Sequence, residues 1–119
     1  MIEVTVEPAR KLVRARMGGL LTLDEVKRFS AEEQAAVRGM GLGSGEFLLL
    51  VETEGNVVQT QDVVQALQDL IQHSPLKAKR IATVRTSALA TLQTRRLTTL
   101  RNYYEVFDSL ADAEAWLFA

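Results

Sequence analysis

Few side chains in this sequence have the type and spacing that chemistry requires. His73 is the only histidine, and there is no cysteine. The usual zinc site needs several imidazole, thiolate or carboxylate ligands, so a lone histidine cannot anchor one. His73 also lacks a serine or cysteine partner in any recognised nucleophile motif. It falls near the C-terminal end of an expected helix, where a partly positive imidazole suits the helix dipole. Glu52 and Glu54 follow an apolar run, at the strand end where α/β folds place ligand sites. Two carboxylates there could work as a general acid and base. A solvated loop carrying two glutamates is the commoner arrangement and is the expectation. Thr60 is the hydroxyl nearest the start of the next helix. It could take a phosphate beside free helix N–H groups, or it could cap the helix by bonding the amide of residue 62 or 63; the cap is the expectation. The alternating glycines of "GMGLGSG", residues 39–45, follow a helix and precede a strand. A dinucleotide loop has the reverse context, so they read as a helix stop and a connector.

Charge supplies a weaker signal. Net charge is −1, but it is segregated along the chain. Residues 1–69 carry eleven acids against seven bases. Lys77, Lys79, Arg80, Arg85, Arg95, Arg96 and Arg101 fall in an acid-free stretch, and the last fifteen residues hold four acids and no base. Complementary neighbours across the folded surface are the expectation; an anion-binding face around Arg95 and Arg96 is the sharper alternative. The basic stretch has no interleaved aromatics and matches no nucleic-acid motif, so no nucleic-acid partner is expected. The lone tryptophan, Trp116, either closes the edge of the core or lies in a contact between two copies.

The elements that must position these groups are clearer. With 119 residues, 47% apolar and 24% charged, the chain is expected to form one soluble domain over 1–119. No apolar run approaches the ~20 residues of a membrane span. With no cysteine and no signal peptide, a cytoplasmic location is expected. Ile2, Val4 and Val6 alternate with polar residues, then Val13, Ala15 and Met17 do the same. The short "EPARK" link between them predicts an antiparallel hairpin. Thr22 and Glu25 have capping-box spacing, opening a helix with Leu23, Val26, Phe29, Ala36 and Val37 that runs to about Arg38. "FLLLV", Phe47–Val51, is apolar at every position, as a central strand covered on both faces should be. Val63, Val64, Leu67, Leu70 and Ile71 stripe a second helix that Pro75 stops. Ile81, Ala82 and Val84 predict a fourth strand. Thr86 or Ser87 caps a third helix with Leu89, Leu92 and Leu100 inward. "YYEVF" predicts a fifth strand, and Leu110, Ala113 and Leu117 line a last helix opened by Ser109 and Asp112. The order β-β-α-β-α-β-α-β-α implies an α/β fold, a mixed five-stranded sheet with parallel later strands.

This order, over nearly the whole chain, resembles the STAS fold of anti-sigma-factor antagonists. The closing "VFDSLADAEAWL", with Val106, Phe107, Ala113, Trp116 and Leu117, is similar to the end of its SpoIIAA-like branch, and "RIATVRTSALATLQTRRL" looks like that branch's fourth strand and third helix. The resemblance implies a regulatory module read by a partner at the third strand's end and the next helix start. Those positions here are Glu52, Thr53 and Thr60, the candidate interaction or phospho-loop. The Asp-Ser-Ser-Gly pattern of phospho-regulated members is absent. The expectation is therefore a non-enzymatic protein-interaction module, without cofactor or metal and without the usual phosphoserine switch. Its partner is a protein, a second copy being one candidate. The alternative is a small-ligand carrier for an anionic or amphiphilic molecule. An apolar pocket reached by arginines favours the carrier; a flat apolar patch around Thr60 favours the interaction module.

Overall fold

Alternating apolar residues and a tight link make the first two strands pair before anything else. A computed structural model describes residues 1–55, 57–85, 88–100 and 102–119, with the backbone alone at 88 and 89. Strand β1 (Ile2–Glu7) returns through a short 3-10 turn at Pro8–Arg10 into β2 (Leu12–Gly18), antiparallel to it. The remaining elements are α1 (Leu23–Gly39), β3 (Leu48–Glu54), α2 (Gln61–His73), β4 (Arg80–Val84), α3 (Ala88–Thr98), β5 (Tyr104–Phe107) and α4 (Leu110–Leu117). The sheet runs β1-β2-β3-β4-β5, and every pair after the hairpin is parallel. This is the α/β fold with a mixed five-stranded sheet that the element order implies. Among the described residues no helix is long and apolar enough to cross a membrane.

Because strand order equals chain order, each crossover steps the same way across the sheet. Right-handed crossovers then place α1, α2 and α3 on one face. The larger core lies there, with Val26, Phe29 and Val37 of α1, Val63 and Val64 of α2 and Leu97 of α3 against Val13, Ala15, Leu49, Val51 and Ile81. The capping box opens α1: the Glu25 amide donates to Thr22 Oγ1 at 3.1 Å, and the Thr22 amide donates to Glu25 Oε1 at 3.1 Å. At its other end Gly41 takes a left-handed φ of 72°, and the Leu42 amide returns to the Val37 carbonyl at 3.2 Å. The glycine run is thus a helix stop.

Among the described residues, α4 alone covers the opposite face. Ala113 and Leu117 pack on Leu12, Leu50 and Ala82, with Trp116 and Phe107 at the margin. Trp116 closes this smaller core: its ring lies 5.6 Å from Phe107, and the Arg80 guanidinium sits 5.4 Å over it while donating to the Trp116 carbonyl at 2.6 Å. In β3, Leu49, Leu50 and Val51 are buried and Leu48 is half-buried, with Phe47 buried just before the strand, so β3 is the central strand, covered on both faces along its first half.

An eight-residue helix is too short to reach β1 and the upper half of β2, and charge takes over. Arg14 pairs with Glu52, and Arg16 with Glu54, diagonally across the parallel register. Glu7 receives both Arg10, at 2.8 Å, and Arg14, at 3.4 Å. Arg10 also reaches Glu114 on α4 at 3.8 Å. The expected complementarity between the basic stretch and its neighbours takes a different form. The ion pairs among the described residues draw on Arg10, Arg14, Arg16, Arg28 and the terminal amine, all from the first third of the chain.

Three inward assignments from periodicity are corrected. Leu23, Leu92 and Leu110 are 41%, 60% and 39% exposed. Leu23 and Leu110 are the first residues of α1 and α4. On α3 the inward line is Ala90, Thr94 and Leu97, a phase that a polar Thr94 conceals from a pattern of leucines. The proposed caps Thr86 and Ser87 lie outside the described residues, as does the side chain of Leu89.

Candidate functional site

The helices on the larger face do not close tightly over the sheet. Val63 and Val64 at the start of α2 are buried, but Leu67, Leu70 and Ile71 farther along the same stripe are only half-buried. They face a cavity of ≈ 80 Å³ between α2 and the strands. Its floor is Met17 of β2, Leu49, Val51 and Thr53 of β3, and Ile81 and Thr83 of β4, the residues that alternation points toward the helices. Phe29 and Glu33 of α1 and Thr94 and Leu97 of α3 complete the walls.

Polar groups are few and gathered toward one side. Thr83 is 3% exposed, and its Oγ1 lies 3.2 Å from the hydroxyl of Tyr104, itself 7% exposed. Thr53 donates to the Val84 carbonyl at 2.6 Å. Arg85 follows β4 directly, in phase with Ile81 and Thr83, and its amide donates to the Phe107 carbonyl at 2.8 Å. Arg85 lines the cavity, a cleft at the strand ends beside Gly19 and Gln59, and a groove along α3 and β5. It therefore stands where these spaces meet. Its Nε is buried with no hydrogen-bond partner among the described residues. Burial pulls the Arg85 guanidinium below its ordinary value, against a smaller upward effect of Tyr104. Burial pushes the Tyr104 phenol up, opposed by its bond to Thr83 and by the Arg85 charge. Glu33 is buried in the same cavity and is engaged in an interaction of its own.

Above the cavity, Gln59 joins three segments. The Leu21 amide donates to its Oε1 at 2.8 Å, and its Nε2 donates to the Gly19 carbonyl at 3.1 Å. Its own amide donates to Gln93 Oε1 at 2.9 Å, and Gln93 Nε2 donates back to its carbonyl at 3.0 Å. The β2–α1 loop, the β3–α2 loop and α3 are thus held together by one buried glutamine.

The residues singled out from sequence are scattered around this centre. Thr53 is at the cavity. Glu52, its neighbour, points to the opposite face; it and Glu54 belong to a strand and an ion-paired ladder, not to a solvated loop. Arg14 beside Glu52 is held above its ordinary value by that bond, and Glu7 is held below its own chiefly by Arg10. Thr60 occupies the N-cap position of α2 and is exposed, yet it makes no capping bond. Its hydroxyl bonds Asp62 instead, and Asp62 Oδ1 accepts from the Val63 amide at 2.9 Å. The Thr60 hydroxyl, and then the Val63 amide, hold the Asp62 carboxyl below its ordinary value. Arg95 and Arg96 form the exposed last turn of α3; Arg95 shares a groove with Arg85, Leu92 and Phe107. His73 ends α2 and is exposed.

Arg85, Thr83, Tyr104 and Gln59 were not singled out by sequence reasoning. One signal for Arg85 was present: a cation directly after "IATV", in the inward phase, at the strand end where α/β folds bind ligands. Gln59 carried no such signal, since its partners are 38, 40 and 34 positions away. Compared with family models and with curated proteins, the chain matches none of them.

Proposed function

We propose that the chain is a non-enzymatic carrier or sensor that holds a small amphiphilic molecule between α2 and the sheet. The observation behind this reading is the cavity, apolar along its floor and α2 wall and met at one end by Arg85. Its cost supports a use. At ~24 cal/mol per Å³ an unfilled volume of ≈ 80 Å³ costs at most about 2 kcal/mol, and less where it opens to solvent, against an ordinary domain's 5–15 kcal/mol. Larger side chains at Ala78 or Thr94 would fill it if packing alone mattered. The carboxylates nearest a strand end, Glu52 and Glu54, are engaged by arginines on the other face and do not reach the cavity. The test is mass spectrometry of small molecules released from the purified full-length chain, against Leu70→Trp, which puts an indole into the cavity. An occupant in the wild type that is missing from Leu70→Trp supports the carrier. Equal release from both, or none from either, refutes it.

A second reading keeps the STAS-like interaction module, acting on a protein partner or a second copy. Leu20, Val58 and Leu92 are 61%, 45% and 60% exposed, and each adjoins a residue of the Gln59 clamp. A rigid end of the sheet, with Thr60 beside it, thereby presents apolar side chains in place of polar ones. The triple variant Leu20→Ser, Val58→Ser, Leu92→Ser should abolish capture of a partner, or self-association in sedimentation, while leaving the fold intact. Unchanged association removes this reading.

A further inference from the structure

Resting on the carrier reading, the geometry points to a specific ligand chemistry: a monocarboxylate with a short apolar tail, its head paired to Arg85 and its tail on the floor of Leu49, Val51 and Ile81.

Size limits the tail. A cavity of ~150 Å³ lined by aliphatic side chains takes one benzene, about 25 Å³ per carbon. By that measure ≈ 80 Å³ accepts about three carbons, and a slightly longer tail only if the half-buried stripe of α2 shifts outward. A long acyl chain would have to unseat α2.

Charge limits the head. Arg85 makes no ion pair among the described residues, in contrast to Arg10, Arg14 and Arg16. Its Nε is a buried donor without a partner, and a native fold rarely leaves one so. A carboxylate bridging Nε and one Nη, a geometry a planar guanidinium favours, satisfies it once a small shift of the Arg85 side chain opens Nε, which is closed to water in this structure. The Thr83 and Tyr104 hydroxyls are bonded to each other, which leaves one of their two protons to donate to the same head, and burial keeps the phenol protonated. A dianion fits poorly. Among the described residues one partly buried cation, Arg85, lines the cavity, and Glu33 already brings a carboxyl group to its wall. Inorganic phosphate and phosphate esters are therefore disfavoured, as is a neutral amphiphile, which leaves the cation unpaired.

The experiment is an NMR titration of the full-length chain with isovalerate, read on the side-chain methyls of Leu67, Leu70 and Ile71. Matched titrations use isovaleramide, inorganic phosphate and palmitate. Isovalerate should saturate these signals at least about tenfold more tightly than isovaleramide. Phosphate should leave them unmoved. Arg85→Met should bring the acid down to the affinity of the amide and leave the amide unchanged. Arg85→Lys keeps the charge but not the fork, so it should weaken the acid while keeping it ahead of the amide; it also serves if the methionine variant fails to fold. Equal binding of acid and amide to the wild type, or acid binding indifferent to both Arg85 substitutions, overturns the head-group assignment and leaves the carrier standing. Palmitate binding tighter than isovalerate at the same methyls overturns the tail length. Phosphate displacing isovalerate reduces the site to a surface anion effect and overturns the assignment. Failure of every probe to move the cavity methyls sinks the carrier reading together with it.

Discussion

Replacing Gln59 by alanine should be among the most damaging single changes available outside the apolar core. The side chain provides the acceptor for the Leu21 amide at 2.8 Å and a donor to the Gly19 carbonyl at 3.1 Å. Leu21 is 6% exposed, so its amide is stranded without water; a buried unsatisfied donor costs about 1–3 kcal/mol. Gly19 is exposed and its carbonyl recovers a water, so the second bond adds about 0.5–1 kcal/mol. The loss is then about 1.5–4 kcal/mol. With an unfolding entropy of about 2.1 cal/mol/K per residue, a chain of 119 residues would melt about 6–16 °C lower. Urea unfolding is the assay, with the midpoint shifted and the slope unchanged, because the same surface is exposed. Hydrogen exchange supplies the local readout: the Leu21 amide, protected in the wild type, should exchange with the loop amides. Gln59→Glu keeps the acceptor but sets a carboxylate oxygen against the Gly19 carbonyl. Its folded-state pKa is raised, so its penalty should shrink as pH falls and the protonated acid donates. A loss below about 0.5 kcal/mol with Leu21 still protected would refute the clamp. So would a Gln59→Glu variant whose penalty grows in acid.

Three more outcomes follow from the geometry. Thr60→Ala should cost less than about 0.5 kcal/mol in thermal unfolding, below the usual cap, because its hydroxyl accepts from no helix amide; Asp62→Asn should cost more. The Asp62 contribution is present above pH 3.8 and is lost as pH falls through its depressed folded value, so the two proteins should converge in acid. Tyr104 has a raised folded value, so its contribution is intact below pH 10.0 and lost as pH rises above it; Tyr104→Phe should flatten that alkaline fall, at about 1 kcal/mol near neutrality for the lost Thr83 bond. A double-mutant cycle on Arg14→Met and Glu52→Gln should give a coupling of about 0.5–1 kcal/mol that shrinks in 1 M salt, and a coupling near zero at low salt would remove this ion pair from the account of the open face.

The fold was legible because its signals are local. The "EPARK" link, the Thr22–Glu25 spacing and the unbroken "FLLLV" each specify an element within a few residues, whereas the order of the strands in the sheet came from the structure. Side-chain direction was less legible. Leu92 looks inward on any hydrophobic pattern, yet the α3 phase is set by Thr94 against the cavity, a tertiary fact. The candidate site was least legible. Its apolar floor reads as ordinary core, and the unoccupied donor that marks it, Arg85 Nε, is visible only once β4, α3 and β5 are assembled. Glu52 drew attention through a strand-end rule that does not say which face a side chain takes. One residue of register separates Thr53 at the cavity from Glu52 in the charged ladder.

Strand order equal to chain order also has a kinetic consequence. No strand is inserted between two earlier ones, so during synthesis each βα unit can add to the free edge of what has already formed, and chain segments need not wait for distant partners. The helices of the larger face arrive with their strands. The smaller face is different: Leu12, Leu50 and Ala82 are in place one after another, but their cover, Ala113 and Leu117, belongs to α4, which is made after all five strands. Until α4 docks, the growing chain carries an apolar strip across three adjacent strands. A ribosome stall before residue 110 would leave a sheet sticky on that side, and the Arg14–Glu52 and Arg16–Glu54 pairs beside the strip keep the rest of the same face unattractive to other sheets while it waits.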